Sequence, residues 1–330
     1  MLFCLPVPVV NNVIFSLHLI RPSVLFVRHK SSASSKRWLQ RQKNDYYSRN
    51  AKHENLKSRA AFKLLQIDQK YKIFRSPYGK PLNVVDLGAA PGAWNQVALE
   101  RCPANSKILG VDILPYQPPR GVSSMQANIL SKRTHEQIRD FYRLSNREHQ
   151  LDSLKDVEIK TDAGETIIVK ENSMVQTEHE LLEEEDLSTS PLPVNGQDIL
   201  TSHWPLDVVL SDMYVPIIQI SGFGNSTTNN PYYRMANTSG LAVRDHEMSM
   251  DLCDAALIVA IDLLKKGGSL VIKFFTGERD EYLEKRLKMV FHKVNRFKPD
   301  ASRSESKECY FVCLDKRNDY VDKVEVFTKA

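Results

Sequence analysis

The sequence predicts an α/β fold in which helices cover both faces of an open, largely parallel sheet. Short apolar segments of strand character alternate along the chain with amphipathic segments of helical spacing. The first strand-like segment runs into a turn rich in glycine and alanine, as occurs at the carboxyl edge of a parallel sheet. Two later strand-like segments end at Asp112 and next to Asp212, so acidic groups are expected to gather at that edge.

The predicted elements follow one another in a regular order. A helical pattern extends from Trp38 to Gln69, and a further helix, through Leu99, follows the glycine turn. The Asp251–Leu264 helix should stop at residues 265–268, where a cationic last turn precedes two glycines, and a last helix covers Leu283–Phe291. The predicted strands are Asn83–Leu87, Lys107–Val111, Leu206–Leu210, Ser269–Phe274 and Glu308–Leu314.

A stretch from about residue 146 to 200 interrupts this alternation. Residues 152–198 contain thirteen acidic residues and three lysines, a net charge of −10, and little hydrophobic periodicity. Such a composition buries too little apolar surface to offset the entropy of ordering. We predict a mobile acidic insertion within one domain that spans residues 31–330.

The charge outside this insertion is strongly positive. The whole chain carries +5, so the remainder carries +15 once the −10 is removed. A basic body favours a polyanionic partner such as a nucleic acid, because neutralising phosphates drives much of that affinity. A basic protein without such a partner is the alternative interpretation.

The five cysteines, at positions 4, 102, 253, 309 and 313, include no Cys-x-x-Cys pair. Cys309 and Cys313 are four residues apart in a predicted strand and should face the same side. This spacing suits neither a zinc knuckle nor a disulfide framework, and we expect no metal. Free thiols are typical of a reducing, intracellular compartment.

Residues 1–30 are predicted to be a mitochondrial transit peptide, with the mature chain beginning near Ser31. No acidic residue precedes Asp45, whereas arginines, lysines and serines follow an apolar stretch, which is typical of matrix-targeted proteins. A secretory signal would carry its charge before the apolar region. A membrane anchor would need about twenty uninterrupted apolar residues, and the run is broken by Asn11, Asn12, His18 and Arg21.

The segment from Asp86 to Trp94, DLGAAPGAW, predicts a cofactor site between a strand and a helix. Its glycines let a ligand approach the backbone, yet neither the dinucleotide spacing GxGxxG nor a Gly-Lys-Ser/Thr phosphate loop is present. A nucleoside without a pyrophosphate fits, and S-adenosylmethionine is the commonest such cofactor. Asp112 is positioned for the ribose hydroxyls and Asn128 for the adenine edge. The predicted cofactor-binding residues are Gly88, Ala89, Pro91, Gly92, Trp94, Asp112, Asn128, Ile129 and Asp212.

Several motifs in order resemble the FtsJ/RrmJ ribosomal RNA methyltransferases. They are SRAAFKL at 58–64, DLGAAPGAW at 86–94, VLSDM at 209–213, VIKFF at 271–275 and KPDASRSESKECY at 298–310. The resemblance covers roughly residues 40–140 and 203–316, and implies a Rossmann-like methyltransferase fold with a seven-stranded sheet. The chain departs from the family in Asn128, which replaces an aspartate, in Ala93, which replaces a glycine, and in the acidic insertion.

The resemblance implies a catalytic tetrad of Lys63, Asp212, Lys273 and Glu308. A ribose 2′-hydroxyl is a poor nucleophile until it loses its proton, so the protein must supply a base and good alignment. We assign Lys273 as the proton acceptor, since burial and a second cation favour the neutral amine. Asp212 would orient it and help hold the sulfonium end of the cofactor, while Lys63 and Glu308 would position the ribose.

Basic residues in or near the motifs are candidates for phosphate contacts: Lys57, Arg59, Arg234, Arg303 and Lys307. The Gly222–Tyr233 segment is either a mobile loop over the acceptor nucleotide or a solvated linker. Tyr310 either packs against that nucleotide or belongs to the core.

Together with the targeting segment, the resemblance implies a mitochondrial member of fungal type that methylates a uridine of the large-subunit rRNA, in the peptidyl-transferase region. The expected partner is that rRNA or a precursor of the large subunit, with no DNA, no membrane span and a monomeric chain. Alternatives are the same chemistry on mitochondrial tRNA or an mRNA cap, a ribosome-assembly factor whose binding matters more than its activity, and a small-molecule methyltransferase.

Overall fold

A computed structural model describes residues 44–154, 203–218, 235–236 and 238–329, with the backbone alone for 145–154, 218 and 235–236. The predicted transit peptide, residues 155–200 of the acidic stretch, Gly222–Tyr233 and Arg234 lie outside the described residues. The expectations that concern them therefore stay predictions.

Helices and strands alternate through the described ranges. No helix there is both long and apolar enough to cross a bilayer. The helices are α1 (Tyr46–His53), α2 (Ala60–Tyr71), α3 (Ala93–Arg101), α4 (Lys132–Leu154), α5 (Ala242–Leu263), α6 (Asp280–Val290) and α7 (Lys323–Thr328). The strands are β1 (Asn83–Leu87), β2 (Lys107–Asp112), β3 (Ser123–Gln126), β4 (Leu206–Ser211), β5 (Ile217–Ile218), β6 (Met235–Ala236), β7 (Leu264–Phe275), β8 (Phe291–Phe297) and β9 (Glu308–Lys316).

The main sheet has seven strands in the order β3-β2-β1-β4-β7-β9-β8. Its first five strands are parallel to their neighbours, and β9 runs antiparallel between β7 and β8. The short strands β5 and β6 form a separate antiparallel pair. This arrangement confirms the predicted mostly parallel, seven-stranded sheet. Because β9 runs in reverse, its first residue lies at the same edge as the last residues of β4 and β7.

Two hydrophobic clusters cover opposite faces of this sheet. Val85 and Leu109 belong to the cluster that packs under α4, α5, α6 and α7. Their neighbours Val84 and Ile108 belong to the cluster under α2 and α3. Since successive strand residues point to opposite faces, apolar residues at every position require helices on both sides. The structure confirms this expectation.

The predicted helical segment Trp38–Gln69 is not one helix. In the described part of that segment α1 ends at His53 and α2 begins at Ala60. Between them Asn55 takes a left-handed conformation with φ of 54°, and Leu56 packs against the second cluster. Asparagine adopts this conformation more readily than most residues. Helical periodicity on both sides of the break concealed it.

Other differences concern elements with little apolar signal. The edge strand β3 is mostly exposed, and the other edge strand, β8, is largely polar outside its first residue. Neither edge strand carries the apolar run from which buried strands are predicted. Helix α4 continues to Leu154, so residues 146–154 are helical although we assigned them to the insertion.

The predicted end of α5 is confirmed to within one residue, but the predicted start is wrong and the cation at its C-terminus comes from another strand. The helix begins at Ala242 rather than Asp251 and ends at Leu263 with no basic residue in its last turn. Residues 265–268 belong to β7, where the pairing with β4 shifts register. The fully buried Lys316 of β9 donates from Nζ to the carbonyls of Ile261 at 3.0 Å, Leu264 at 2.5 Å and Asp319 at 3.1 Å.

Replacing Lys316 with methionine should destabilise the protein. The variant keeps most of the side-chain volume but leaves buried carbonyls at the end of α5 without their donor. We expect the free energy of unfolding to fall by about 2–4 kcal/mol, measured by urea denaturation. Lys293→Met, at an exposed position of β8, is the matched control and should change it by less than about 0.5 kcal/mol. Equal stability of the two variants would contradict this role.

Candidate active site

Four side chains predicted from the sequence meet at one edge of the sheet. Asp212 directly follows β4, and Lys273 lies near the end of β7, the neighbouring parallel strand. Glu308 is the first residue of β9, paired with Phe275. Lys63 reaches the same point from α2. Strand direction therefore brings together residues from distant parts of the chain.

The four side chains form two ion pairs. The Nζ of Lys63 is 2.7 Å from Oε1 and 2.8 Å from Oε2 of Glu308. The Nζ of Lys273 is 3.1 Å from Oδ1 of Asp212 and 2.5 Å from its backbone carbonyl. Lys273 and Glu308 are only 5% and 4% exposed. Both pairs are thus held where water screens their charges weakly.

Tyr310 connects the two ion pairs through its hydroxyl group. It is fully buried and pairs across the strands with Lys273. Its hydroxyl lies 3.0 Å from Oδ1 of Asp212 and 3.1 Å from Oε1 of Glu308 and can donate to either. Burial, and then the two carboxylates, raise the pKa of Tyr310 well above its usual value. Of the two interpretations left open, the structure favours a core tyrosine over one that contacts a nucleotide.

Glu308 is ionised although it is buried. Burial alone would raise its pKa, but the charges of Lys63 and Lys273, with hydrogen bonds from Lys63 and Ser302, hold the pKa at about 2. The Ser302 hydroxyl donates to Oε1 at 2.8 Å. A negative charge on Glu308 therefore lies between the side chains of Lys63 and Lys273 at neutral pH.

The glycine turn after β1 packs directly against the residue that follows Asp212. Gly88 has a φ of 75°, and a Cβ there would lie 2.8 Å from Cγ and 3.0 Å from Cα of Met213. Gly92, which directly precedes α3, has a φ of 100°. Only glycine combines these conformations with such close packing. The turn thus comes within one residue of the ion pair formed by Lys273.

Asp112, the last residue of β2, forms a hydrogen bond that holds the glycine turn in place. One carboxylate oxygen accepts a hydrogen bond from the Ala90 amide at 2.8 Å, and the other accepts from the Leu114 amide at 2.8 Å. The carboxylate is half-buried, and an oxygen that accepts one hydrogen bond can accept a second. Its position is therefore compatible with the predicted contact to ribose hydroxyls.

The remaining predicted cofactor residues differ in how they are exposed. Asn128 is exposed and its side-chain oxygen accepts from the Leu130 amide at 3.0 Å. Ile129 is buried in the first core cluster. The indole of Trp94 is buried, donates to the Ala60 carbonyl at 2.9 Å and packs 5.9 Å from the Tyr310 ring. Any contact of Trp94 with a cofactor must therefore come from its backbone.

Sequence reasoning missed a buried polar cluster beneath the glycine turn. Neither carboxylate oxygen of Asp86 has a hydrogen-bond partner among the described residues, nor does the side-chain oxygen of Asn95. The Asn95 amide donates to the Tyr116 hydroxyl at 2.7 Å. Burial, followed by the charges of Asp212 and Asp112, raises the pKa of Asp86 well above its usual value. A charged residue inside the apolar strand NVVDL was the available signal.

This cluster fits a positively charged nucleoside. Asp86, Asp112 and Asp212 interact electrostatically around the turn, and Asp86 is a buried acceptor without a partner in the described ranges. A ligand that carries an ammonium or sulfonium group would supply the missing positive charge. Within the same ranges, no group of three or more His, Cys, Asp or Glu side chains could hold a metal ion.

Tyr214 is a second residue that the motifs did not reveal. The Nζ of Lys273 lies 5.3 Å from the centroid of its ring, within the range of a cation–π contact. Burial, and then Asp112 and Asp212, raise the pKa of Tyr214. The ring therefore lies directly beside the amine of Lys273.

The candidate phosphate-binding residues separate into different places. Lys57 donates from Nζ to the Gln117 carbonyl and lies against the glycine turn, where a Cβ on Gly92 would be 3.4 Å from Nζ. Lys307 is exposed next to Glu308. Arg59 and Arg303 both approach the carboxylate of Asp45.

Comparison with known proteins agrees with this architecture. Residues 56–316 match the family of FtsJ-like methyltransferases. The chain is 48% identical over 309 residues to "rRNA methyltransferase 2, mitochondrial" of Saccharomyces cerevisiae, covering 93% of this chain and 94% of that protein. It is 29% identical over 280 residues to the protein of the same name from Schizosaccharomyces pombe, covering 85% and 95%. It is 30% identical over 301 residues to "Ribosomal RNA large subunit methyltransferase E" of Rickettsia akari, covering 88% and 95%.

These matches span the fold and all the motifs named above, and they confirm the resemblance drawn from those motifs. The sheet order, the glycine turn and the edge at which the ion pairs lie all fall within the matched residues. The chain is therefore a methyltransferase that belongs to the FtsJ-like methyltransferase family.

Proposed function

We propose that this protein transfers a methyl group from S-adenosylmethionine to the 2′-hydroxyl of a uridine in mitochondrial large-subunit rRNA. The observation that carries the proposal is the position of Lys273, a buried amine held by Asp212 within one residue of the glycine turn. A base beside a cofactor turn is what transfer to a hydroxyl requires.

The relatives support the choice of RNA and of compartment. Two fungal relatives are named as mitochondrial rRNA methyltransferases, and the bacterial ones as large-subunit rRNA methyltransferases. The acid-poor segment 1–30 supports import into the matrix. The uridine and its peptidyl-transferase location rest on the family resemblance alone.

The residues proposed to hold the cofactor surround the turn. Gly88, Ala89, Pro91 and Gly92 would contact its methionine and ribose portions through the backbone, and the backbone of Trp94 continues that surface into α3. Asp112 would accept from the ribose hydroxyls, and Asn128 and Ile129 would border the adenine. When bound, adenosylmethionine would supply a methyl group activated by the positive charge on its sulfur.

Lys273 is proposed to remove the proton of the 2′-hydroxyl. A neutral amine has two N–H bonds and one lone pair, and Nζ has two acceptors on Asp212, Oδ1 at 3.1 Å and the carbonyl at 2.5 Å. Both N–H bonds are thereby engaged, and the lone pair is left for the substrate. As the hydroxyl proton moves to Nζ, the Asp212 carboxylate stabilises the resulting ammonium.

Lys63 and Glu308 are proposed to position the ribose. Their ion pair leaves further donor positions on the Lys63 ammonium for ribose oxygens. Glu308 also balances the charge of Lys273 through space. With Lys273 neutral the tetrad carries one net negative charge, so the proton that Lys273 gains brings the tetrad to neutrality and leaves no uncompensated buried charge.

Mapping the product tests the proposal. Purified protein is incubated with labelled adenosylmethionine and mitochondrial RNA that lacks the modification, and 2′-O-methylated positions are identified by resistance to alkaline cleavage. We expect one labelled uridine in the large-subunit rRNA. Label confined to tRNA would mean that the substrate is tRNA rather than rRNA, while the reaction is still 2′-O-methylation. Binding to large-subunit particles without any transfer would instead favour an assembly factor.

A further inference from the structure

We propose that the groove between α1 and residues 298–305 binds the RNA strand next to the target ribose, and that Asp45 occupies the place of a phosphate there. The inference rests on the proposed RNA substrate and deepens it by assigning a second binding surface. It predicts that removing a native charge, rather than adding one, tightens the binding of RNA.

The groove adjoins the catalytic side chains. Its volume is about 1280 Å³, and its lining includes Asp45, Tyr46, Arg59, Ser302 and Arg303. The same Ser302 donates to Glu308 at 2.8 Å. A strand whose ribose reaches Lys273 and Glu308 can therefore continue directly into this groove.

Two guanidinium groups converge on one carboxylate oxygen. Arg59 donates from Nη1 to Oδ2 of Asp45 and from Nη2 to the Ala301 carbonyl. Arg303 places Nη2 at 3.9 Å from the same Oδ2. A pair of arginines on one anionic oxygen is the arrangement by which proteins bind phosphate. The carboxylate of Asp45 thus stands where a phosphate oxygen would bind.

The formal charge of the groove explains why a phosphate must displace Asp45. Its lining has three cations, Arg59, Lys298 and Arg303, and three acids, Asp45, Asp300 and Glu305. With Asp45 on the arginines, the surface offers little net attraction to a polyanion. A phosphate that takes its place gains both guanidinium groups, and Arg59 remains positioned by the Ala301 carbonyl.

An exposed aromatic ring on the rim suits a nucleobase. Tyr46 is 60% exposed and meets Tyr47 edge-on at 5.4 Å between ring centroids. Tyr47 in turn packs 5.5 Å from Phe62 and under Arg59. The Tyr46 ring is therefore supported at one edge while its exposed surface is available for stacking, the contact by which aromatic side chains hold unpaired bases.

Binding is measured by fluorescence anisotropy with the full chain and a labelled single-stranded RNA of fifteen mixed-sequence nucleotides, at several salt concentrations. We expect Asp45→Asn to lower Kd about threefold to tenfold at low salt. The slope of log Kd against log salt concentration should steepen by the amount that about one additional phosphate contact contributes. Asp300→Asn removes the same charge from the same groove without freeing arginines, and is the matched control.

Tyr46→Ala provides a second test of the groove, and this test does not depend on whether Asp45→Asn folds. It should weaken binding about tenfold, whereas Tyr320→Ala, at a ring that is 75% exposed and outside the groove lining, should leave Kd within about twofold. If Asp45→Asn binds no more tightly than Asp300→Asn, or if Tyr46→Ala matches Tyr320→Ala, the inference is wrong. If wild type binds this RNA but transfers no methyl group to mitochondrial RNA that lacks the modification, the proposed function is wrong while the assignment of the groove holds.

Discussion

Replacing Lys273 by methionine is expected to lower the rate of methyl transfer about a thousandfold. The side chain keeps nearly the same length but has no group that accepts a proton, and general bases typically contribute 10²–10⁴ in rate. The remaining rate would come from holding the 2′-hydroxyl close to the activated methyl group. No other amine among the described residues is within ion-pair distance of Asp212.

Single-turnover transfer at saturating adenosylmethionine isolates this effect from binding. The Kd for adenosylmethionine should stay within a few-fold of wild type, since the proposed cofactor contacts come mainly from the glycine turn and Asp112. Lys285→Met, on the outer side of α6 where the lysine lies over the Tyr282 ring, is the control for a lost surface charge and should be fully active. A Lys273→Met enzyme that retained a tenth of the wild-type rate would show that another group is the base.

Glu308→Gln is expected to impair both catalysis and stability. The amide keeps the shape of the carboxylate and can still accept from Ser302, but it removes the charge that Lys63 contacts at 2.7 Å. Lys63 is then left without its charged partner in a largely buried position. We expect about a hundredfold loss of transfer rate and, at pH 7, a fall of about 3 kcal/mol in the free energy of unfolding.

The stability loss should depend on pH in a defined direction. The pKa of Glu308 is about 2 in the folded protein, below the ordinary value of about 4.3 for the unfolded chain. The unfolded state therefore takes up a proton first as the pH falls. The stabilisation is complete above about pH 4.5 and is lost between there and about pH 2. The difference between wild type and Glu308→Gln should shrink through that window.

Urea denaturation at several pH values measures this difference, and transfer assays at neutral pH measure the catalytic loss. Glu281→Gln is the control because Glu281 is exposed on α6 and lies outside the groove lining, so its removal should change neither quantity appreciably. A stability difference that stayed constant from pH 7 to pH 3 would mean that Glu308 is not the ionised partner of Lys63.

The sequence by itself was sufficient for the fold class and for the four side chains that meet in the candidate site. Apolar runs such as NVVDL and LDVVL predict buried parallel strands because each strand needs apolar residues on both faces. The glycine turn is likewise local, since its conformations are required within a few residues of chain. Lys63, Asp212, Lys273 and Glu308 were found through motifs, and the reversed direction of β9 explains why they meet.

Only the tertiary structure decided interactions between residues that are far apart in the chain. Lys316 satisfies the end of α5 from 55 residues away, which no local cationic turn could reveal. Tyr310 bridges Asp212 and Glu308, and Asp45 holds Arg59, only after helices and sheet have packed. Local sequence patterns predict whether a single segment is buried. The partner of a buried charge depends on which distant segment packs beside it, and local patterns do not contain that information. An unpaired buried charge is costly, and for Lys316 and Glu308 a distant segment supplies the partner.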